Sequence, residues 1–198
     1  MNEQFGAIIG SMQRSAERAY KGGIQTGNGG NLSVRVPGTQ TMLIKAKGGS
    51  FANLGEGNIV HTDFDGKVLA GSSEPSREFR SHALIYRICP DAGAVFHSHS
   101  PWSIACAARL ERLPLVSMHM EMKLGGIPVM LSNGHADARM VSELTSFLAT
   151  NPGVRAFIQR RHGIFSISRD IEDAEMQAEL VEECAQIALL ELISLGRP

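Results

Sequence analysis

Residues 26–36 read TGNGGNLSVRV, in which a glycine-rich segment runs directly into alternating apolar and polar residues. Alternation with a period of two is typical of a strand that faces the core on one side. In residues 2–21 the apolar positions recur at helical spacing instead, and a glycine pair ends the pattern. We therefore expect an opening helix over 2–21, a glycine-rich loop over 26–31 and a strand over 32–36.

The rest of the chain predicts further helices and strands in a mixed order. The predicted strands are 41–46, 58–62, 67–70, 93–97, 127–131, 155–160 and 164–168. The predicted helices are 77–88, 101–110, 136–149 and 171–195. Because no repeat, linker or low-complexity tract interrupts this order, we expect a single α/β domain over residues 1–198.

The composition is that of an ordinary globular protein. Hydrophobic residues make up 43% and charged residues 20%, and 19 basic against 20 acidic residues give a net charge of −1. This balance gives no reason to expect nucleic acid or a membrane surface as a partner. The three cysteines lack CxxC spacing, and the sequence shows neither a membrane-spanning run nor a signal peptide. We therefore expect a cytoplasmic protein with reduced thiols.

Two histidines stand two residues apart in His97-Ser98-His99, at the end of an apolar run. On an extended chain this spacing places both imidazoles on one face, which is half of a metal site. The alternative is one histidine in the core and one at the surface. A third candidate, His162, ends another predicted strand and precedes Gly163. Three histidines with one open position are the usual arrangement of a catalytic zinc site.

A carboxylate and a further histidine lie in the predicted helix 77–88. Glu78 and His82 are four residues apart and therefore share a helix face. They are either a solvated pair or part of a site in which His82 orients Glu78. The remaining candidates, His61 and His135, are expected at the surface or at a helix cap.

Four short motifs follow one another along the chain. They are Gly-Asn-Gly-Gly-Asn-Leu-Ser-Val-Arg (27–35), Pro-Ser-Arg-Glu (75–78) with His82, Val-Phe-His-Ser-His-Ser (95–100) and Arg-His-Gly (161–163). In order and separation these motifs resemble the class II aldolase/adducin family, and within it the zinc-dependent L-fuculose-phosphate aldolases. The resemblance covers nearly the whole chain.

The resemblance implies a fold, an assembly and a set of site residues. The fold is a three-layer αβα arrangement around a central, largely antiparallel sheet, and the assembly is a homotetramer with active sites between neighbours. The implied zinc ligands are His97, His99 and His162. Glu78 is implied to ligate the free metal or to serve as the catalytic acid/base. The implied anion pocket is lined by Asn31, Gly48 and Ser76.

The chain departs from the family pattern at two positions near the implied anion pocket. Lys47 and Arg77 stand where family members often carry hydroxyl residues. The added positive charge suits a phosphate, a carboxylate or a sugar-acid phosphate as the bound group. The alternative is that both residues are simply solvated charges.

A further departure concerns the tyrosine that the aldolases use as a proton donor from a neighbouring subunit. Met118 aligns with it, so the adjacent His119, or Glu121 if desolvated, is the candidate replacement. The alternative for His119 is an interface or core histidine. Met118, Met120 and Met122 alternate as they would on a strand, either at the subunit interface or in the core.

The predicted function is a zinc-dependent lyase that cleaves a small, anionic sugar phosphate or related polyhydroxy acid by retro-aldol chemistry. Zinc would act as a Lewis acid that stabilises the enediolate, and Glu78 would move a proton. The alternative on the same metal site is a decarboxylase or dehydratase of a sugar-acid phosphate. Glu78 disfavours an epimerase, since epimerases of the family carry aspartate there. A non-catalytic adducin-like binding module should have lost the histidines. The residues do not fix the metal, because iron, cobalt and manganese also suit them.

Overall fold

The protein is described here by a computed structural model, which covers residues 5–130, 138–194 and 196. The helices are α1 (Gly6–Lys21), α2 (Phe79–Ile88), α3 (Pro101–Ala107), α4 (Met118–Lys123), α5 (Ala138–Thr150) and α6 (Ile171–Ser194). The strands are β1 (Asn31–Arg35), β2 (Thr41–Lys45), β3 (Ile59–Asp63), β4 (Val68–Ala70), β5 (Ala94–Ser98), β6 (Arg112–Leu113), β7 (Ile127–Met130), β8 (Ala156–Gln159) and β9 (Gly163–Ser168).

The strands form one large sheet in the order β4, β3, β2, β1, β5, β9, β8, β7, β6. Within the described ranges, neighbouring strands pair antiparallel except β7 with β8, which are parallel. The expectation of a mixed α/β fold with a large central sheet is therefore confirmed. The central strand of the nine is β5, and its neighbour β1 pairs with it so that Asn31 lies opposite His97.

Adjacent strand residues pack into two different hydrophobic clusters, as the alternation of side chains across a sheet requires. In β5, Phe96 belongs to a cluster with residues of α1, α3 and α6, whereas Val95 belongs to a cluster with residues of α2 and α5. Ile164 and Phe165 of β9 divide between the two clusters in the same way. Every residue of β5 is buried, which explains why Ala94, Val95 and Phe96 are apolar in succession instead of alternating with polar residues.

Residues 118–122 form helix α4 and not the strand that their alternating methionines predict, so that expectation is wrong. Ser117 caps this helix, because its hydroxyl accepts a hydrogen bond from Met120 N at 3.1 Å. Met118 and Met122 are four residues apart on an exposed helix face, while Met120 is buried. A spacing of two and four residues fits a strand, but the outer pair also fits one helix face.

Several boundaries differ from those expected. Helix α2 begins at Phe79, which makes Glu78 its N-cap residue instead of a residue of the first turn. Helix α3 ends at Ala107, and the two-residue strand β6 was not expected. Residues 131–137, which include the expected start of a helix and His135, lie outside the described part of the chain.

The structure also bears on the expectations about thiols and membranes. Cys89, Cys106 and Cys184 are free cysteines that form no disulfide bond. In the part of the chain that is described, no helix combines the length and apolar character needed to cross a membrane.

Candidate metal centre

Three histidines and one glutamate converge where strands in the middle of the sheet end. Because β5 and β9 are antiparallel with Ser98 opposite Ile164, the end of β5 lies beside the start of β9. This pairing brings the residues at and after the end of β5 close to those that precede β9. The residues that meet there are His97, His99, His162 and Glu78, whose candidate ligand atoms all lie within 4.8 Å of one another.

The turn that carries His162 is held tightly against the end of β5. Gly163 has a φ of +147°, and a Cβ at this position would collide with the backbone oxygen of Ser98. Arg161 has a φ of +61°, a left-handed conformation that is uncommon for a residue other than glycine. Such conformations persist where the surrounding structure enforces them, and here they orient the neighbouring imidazole.

The imidazole of His97 is buried and neutral. Burial lowers its pKa well below the ordinary value of 6.5, and the neighbouring histidines lower it further. Its Nδ1 lies 2.8 Å from the backbone oxygen of Ile164, which can only accept, so Nδ1 carries the proton. Its Nε2 has no hydrogen-bond partner within the described residues, although it lies 3.2 Å from Oε2 of Glu78. This nitrogen therefore presents a free lone pair to the cluster.

The imidazole of His162 is oriented in the same way. Its Nδ1 lies 3.0 Å from the side-chain oxygen of Gln159, to which it donates. Its Nε2 then lies 3.2 Å from Oε1 of Glu78. A backbone or amide oxygen that fixes the far nitrogen of an imidazole is the usual support for a metal-ligating histidine.

The resulting arrangement suits a cation. The Nε2 atoms of His97 and His162 face the two oxygens of one carboxylate at 3.2 Å each. Such contacts are unfavourable unless a proton or a metal ion lies among the lone pairs. Three imidazoles and one carboxylate are a donor set that zinc and other divalent transition metals bind. The residues present therefore fit a divalent metal ion.

Glu78 is held in place by residues on either side of the cluster. The side-chain amide of Asn31, directly opposite His97 in the sheet, donates a short hydrogen bond to Oε2 of Glu78. The hydroxyl of Ser76 accepts from the backbone N–H of Glu78 at 3.3 Å. Oδ1 of Asn31 is buried and has no hydrogen-bond partner within the described residues.

The backbone of His99 is held by a residue that the sequence did not single out. Its backbone N–H donates to the side-chain oxygen of Gln25 at 2.7 Å, and Gln25 is buried. A methyl group at Gly30 would lie 2.7 Å from the backbone oxygen of His97 and would also strike Gln25, so this loop must approach closely. A glutamine just before a glycine-rich loop was the only sequence signal for this role.

His82 does not orient Glu78 by a hydrogen bond among the residues described. Its Nδ1 pairs with the hydroxyl of Ser33 at 2.7 Å, and that hydroxyl also pairs with the hydroxyl of Tyr86 at 2.7 Å. Burial lowers the pKa of His82 to about 4, although the charge of Glu78 raises it. His82 is therefore a neutral core residue behind the cluster.

The residues expected to bind an anion differ in their environments. Ser76 is buried beside Glu78, and Gly48 has a φ of +77° in an exposed loop. Lys47 is exposed and pairs with Glu74 at 2.5 Å, which lowers the pKa of that carboxyl. Arg77 is exposed and also lowers the pKa of Glu74.

A different lysine is buried between the two glycine-rich loops. Lys45, two residues before Lys47, is 2% exposed. Burial lowers its pKa to about 8, while the negative charge of Glu78 raises it. In turn, the charge of Lys45 contributes to lowering the pKa of His99, after burial and His162. The sequence reasoning chose Lys47 and missed this residue.

The other histidine and carboxylate proposed from the sequence are not part of this cluster. His119 and Glu121 are exposed residues of α4, whose contacts are with α6. His61 lies in β3, where its Nε2 is 2.9 Å from the hydroxyl of Thr41. A role for His119 at a metal centre would therefore require the centre of a neighbouring subunit.

A cavity of 820 Å³ lies at the opposite end of the same strands and is unrelated to the histidines. It is lined by residues that precede β5 and residues that end β9, among them Ala92 and Ser168. Its lining includes none of the four residues of the cluster.

Comparison with known proteins agrees with this fold and cluster. A model of the class II aldolase and adducin N-terminal domain matches residues 11–189. The 3-oxo-tetronate 4-phosphate decarboxylase of Escherichia coli strain K12 is 29% identical over 184 residues, which are 90% of this chain and 84% of that protein. A 5-methylthioribulose-1-phosphate/5-deoxyribulose-1-phosphate aldolase of Rhodospirillum rubrum is 32% identical over 166 residues, covering 83% of this chain and 72% of that protein.

A similar solved structure is an L-fuculose 1-phosphate aldolase, with a TM-score of 0.86 and 25% identity. The match covers 98% of this chain and 89% of the aldolase chain. The family model spans both histidine motifs and Glu78, and the matches to the two relatives and to this structure each cover more than four fifths of the chain. The chain therefore belongs to the class II aldolase and adducin family.

Proposed function

We propose that this protein is a metal-dependent lyase that breaks a carbon–carbon bond in a small sugar phosphate or a related polyhydroxy acid. The observation that carries this proposal is the position of Glu78, whose two oxygens each lie 3.2 Å from an imidazole nitrogen that is free to bind a metal. A carboxylate so close to a metal site is within reach of a substrate bound there, and it can carry a proton.

The metal would be held by His97, His99 and His162, and the identity of the ion as zinc remains part of the proposal. When bound, the ion supplies Lewis-acid stabilisation of negative charge on substrate oxygens. His97 is neutral and its Nδ1 is occupied by a backbone oxygen, so its lone pair is committed to the cluster. Neutral ligands leave the positive charge of the ion available to the substrate.

Glu78 would perform the proton transfer. In retro-aldol cleavage, the carboxylate accepts the proton of the substrate hydroxyl, the carbon–carbon bond breaks, and an aldehyde leaves. The bonding electrons remain on the other fragment, whose carbon then takes a proton. Asn31 fixes the carboxylate by donating to Oε2, and Oε1 lies 3.2 Å from Nε2 of His162. A positioned acid/base group of this kind contributes about 10² to 10⁴-fold in rate.

A phosphate or carboxylate on the substrate is supported by the positive charges and loops around the cluster. Both named relatives act on phosphate-bearing compounds by the names they carry. The proposed anion contacts are Asn31, Lys47, Gly48, Ser76 and Arg77. Since the amide nitrogen of Asn31 already donates to Glu78, the contribution of Asn31 would come from its free oxygen, which suits a hydroxyl better than an anion.

Decarboxylation of a 3-oxo sugar-acid phosphate is the second candidate. In that reaction the bond to the carboxylate breaks, carbon dioxide leaves, and Glu78 in its acid form returns a proton to the carbon. Two observations favour it: the similarity to a 3-oxo-tetronate 4-phosphate decarboxylase, and a buried lysine that would suit the additional carboxylate. A dehydratase on the same site would need the same acid/base group.

The test measures products from zinc-loaded protein. One set of reactions contains ketose 1-phosphates, with a coupled assay for dihydroxyacetone phosphate and an aldehyde assay. A second set contains 3-oxo-tetronate 4-phosphates, with carbon dioxide as the product measured. Aldehyde release supports the aldolase, and carbon dioxide release supports the decarboxylase. If neither set of reactions releases its product, the proposed lyase is overturned.

The matched variants are Glu78→Gln and Glu74→Gln, which change one carboxylate inside the cluster and one exposed carboxylate four residues away. We expect Glu78→Gln to retain metal and to lose at least about 100-fold in kcat. Glu74→Gln should stay within about threefold of the parent. An equal loss in both variants would contradict the role given to Glu78.

The architecture and the assembly are also part of the proposal. We propose that residues 1–198 form one domain and that the two core clusters are the two sides of a three-layer αβα fold with a largely antiparallel sheet. The proposed assembly is a homotetramer in which exposed α4 reaches a neighbouring site, which would give His119 its catalytic role. Light scattering tests this directly, since a monomer at micromolar concentration contradicts a shared site. The cytoplasmic location stays a prediction.

A further inference from the structure

The carboxylate of Glu182 connects helix α6 to the first turn of helix α3. Glu182 lies in the middle of α6 and is 6% exposed. Its Oε1 accepts from the backbone N–H of Trp102 at 2.8 Å. Its Oε2 accepts from the backbone N–H of Ser103 at 2.9 Å and from the hydroxyl of the same residue at 2.7 Å. One buried side chain of α6 therefore holds two consecutive residues at the start of α3.

Helix α3 begins without a cap from its own N-cap residue. The side chain of that residue, Ser100, makes no capping hydrogen bond. Its hydroxyl instead donates to the backbone oxygen of Ile24 at 3.0 Å and pairs with the hydroxyl of Ser98 at 2.7 Å. Because the first N–H groups of a helix have no partner within the helix, α3 needs an acceptor from another part of the chain.

Glu182 supplies that acceptor. Pro101 is the first residue of α3 and has no N–H group. The next two residues, Trp102 and Ser103, both donate to Glu182, and the N–H of Ile104 donates to the N-cap residue at 3.1 Å. A negative charge at this end of a helix also interacts favourably with the helix dipole. The geometry of the first turn of α3 therefore depends on this carboxylate.

The imidazole of His99 lacks the support that orients the other two histidines of the cluster. Nδ1 of His97 lies 2.8 Å from a backbone oxygen, and Nδ1 of His162 lies 3.0 Å from an amide oxygen. Among the residues that the structure describes, neither ring nitrogen of His99 has a hydrogen-bond partner. The placement of this imidazole therefore depends on how the backbone of His99 is held.

That backbone is held from both sides. The N–H of His99 donates to the side-chain oxygen of Gln25 at 2.7 Å. On the other side, Ser100 alone separates His99 from α3, whose first turn is bound to Glu182. Helix α6 also packs against β5 and β9, which carry or directly follow the other two histidines. Glu182 thus connects the backbone after His99 to the same elements that position its partners.

We propose that Glu182 is a positioning residue of the metal centre, which fixes the first turn of α3 and through it the backbone of His99. The inference rests on the part of the proposed function in which His97, His99 and His162 hold the ion, and it does not depend on which bond of the substrate breaks. A carboxylate that only joined α6 to α3 would stabilise the fold and leave the metal affinity unchanged, so the two roles can be separated.

The first measurement is the affinity of the purified protein for zinc, determined by competition with a chromophoric chelator. The variants are Glu182→Gln and, as a matched control, Glu183→Gln, which changes the next residue of the same helix, an exposed glutamate. We expect Glu182→Gln to weaken zinc binding at least about tenfold, as the loss of a group that supports a metal ligand does. Glu183→Gln should stay within about twofold of the parent.

A second control separates the packing of α3 from the placement of His99. Cys106 also joins α3 to α6, because its Sγ donates to the backbone oxygen of Ala185 at 3.3 Å, one turn further along the helix. Cys106→Ala should lower the unfolding midpoint and leave the zinc affinity unchanged. Ser103→Ala removes one of the three hydrogen bonds to Glu182 and replaces Glu182→Gln if that variant does not fold; it should weaken zinc binding at least about threefold.

A double-mutant cycle on zinc affinity tests whether Glu182 acts through His99. In protein that already carries His99→Ala, Glu182→Gln should weaken zinc binding by less than about twofold further. In protein that carries His162→Ala, it should retain its full effect. The visible absorption of the cobalt-loaded protein reports the ligand geometry independently: Glu182→Gln should change this spectrum, and Cys106→Ala should not.

Three results would overturn the inference. They are unchanged zinc affinity in Glu182→Gln, or in Ser103→Ala where it takes its place, an equal loss in Cys106→Ala, and the same loss in the His99→Ala protein as in the parent.

The failure of this inference is distinguishable from the failure of the proposed function. A parent protein that binds no metal would overturn both. A lyase with measured product release whose zinc affinity is untouched by Glu182→Gln would refute the positioning role and leave the lyase standing. Glu182-dependent zinc binding by a protein that releases neither aldehyde nor carbon dioxide would refute the lyase and leave the positioning role standing.

Discussion

Replacing Lys45 by methionine should make the metal-free protein more stable near neutral pH. A pKa of about 8, in place of the ordinary 10.5, means that the folded state opposes the charged form of this side chain by about 3 kcal/mol. Methionine fills a similar volume without a charge. It also loses the hydrogen bonds to Asn28 and Gly49, each worth about 1 kcal/mol. The net expectation is a gain of about 1 to 2 kcal/mol in the free energy of unfolding.

The gain should depend on pH in a defined direction. Below about pH 8 Lys45 is charged in both the folded and the unfolded protein, so the whole cost of burying the charge is present. Between about 8 and 10.5 the unfolded chain still binds the proton that the folded protein has released, so the stability of the parent rises with pH. The advantage of Lys45→Met should therefore be constant below about pH 8 and shrink above it.

The assay is urea denaturation of metal-free parent and variant with a reductant present, at one protein concentration and at several pH values between about 7 and 10. Groups other than Lys45 titrate in this range, but their contributions cancel in the difference between the two proteins. A variant that is less stable than the parent by more than about 1 kcal/mol at pH 7 would refute the reasoning. A difference that stays constant with pH would refute it as well.

Three further substitutions test the packing around the centre. Gly30→Ala should be at least about 2 kcal/mol less stable than Gly27→Ala and should bind zinc more weakly. Both glycines have a positive φ, but only at Gly30 would the added methyl group lie 2.7 Å from a backbone oxygen of β5. Equal unfolding midpoints for the two variants would contradict this. Tyr86→Phe should lose about 1 to 2 kcal/mol in urea denaturation and keep its metal, because the buried hydroxyl donates to the backbone oxygen of Ser33; a loss of metal would be the unexpected result. Burial raises the pKa of Glu175 from 4.5 to about 7, so between these two pH values the folded protein keeps a proton that the unfolded chain has released. The stability of the parent relative to Glu175→Gln should therefore fall as the pH rises from about 5 to 7 and stay level above it, and the opposite trend in unfolding midpoints would be inconsistent with this.

Strand geometry largely determines that the three histidines lie close together. His97 and His99 are two residues apart on an extended chain, and alternation alone places them on one face. His162 stands at the start of a strand that is antiparallel to theirs, which brings it to the same edge of the sheet. The alternation of side chains along a strand and one antiparallel pairing, β5 with β9, therefore account for the positions of the three histidines.

The buried lysine could not be identified from the sequence in the same way. Lys45 and Lys47 are separated by one residue, and a glycine-rich loop follows them, so alternation predicts that both lie on one side. The difference arises from tertiary structure: Lys45 ends β2 inside the sheet, whereas Lys47 follows the bridge between Ala46 and Pro75 and points to solvent. Partners far along the chain decide which of the two is buried.

The methionines of α4 show a different limit. A spacing of two residues predicted a strand, and the serine cap that starts the helix was overlooked. Ser117 accepts a hydrogen bond from the third residue after it, which is a recognisable sequence signal for a helix start. The cap would have favoured the helix over the strand.

The central claim is that the histidine and glutamate cluster binds a divalent metal ion, and metal content tests it most directly. Elemental analysis would be carried out on protein purified without chelator or affinity tag, on a variant with His97 and His99 replaced by alanine, and on His61→Ala as a control outside the cluster. We expect about one zinc per chain in the parent and the control, and none in the double variant. A parent that holds no metal and takes none up on titration, or a double variant that holds as much as the parent, would contradict the claim.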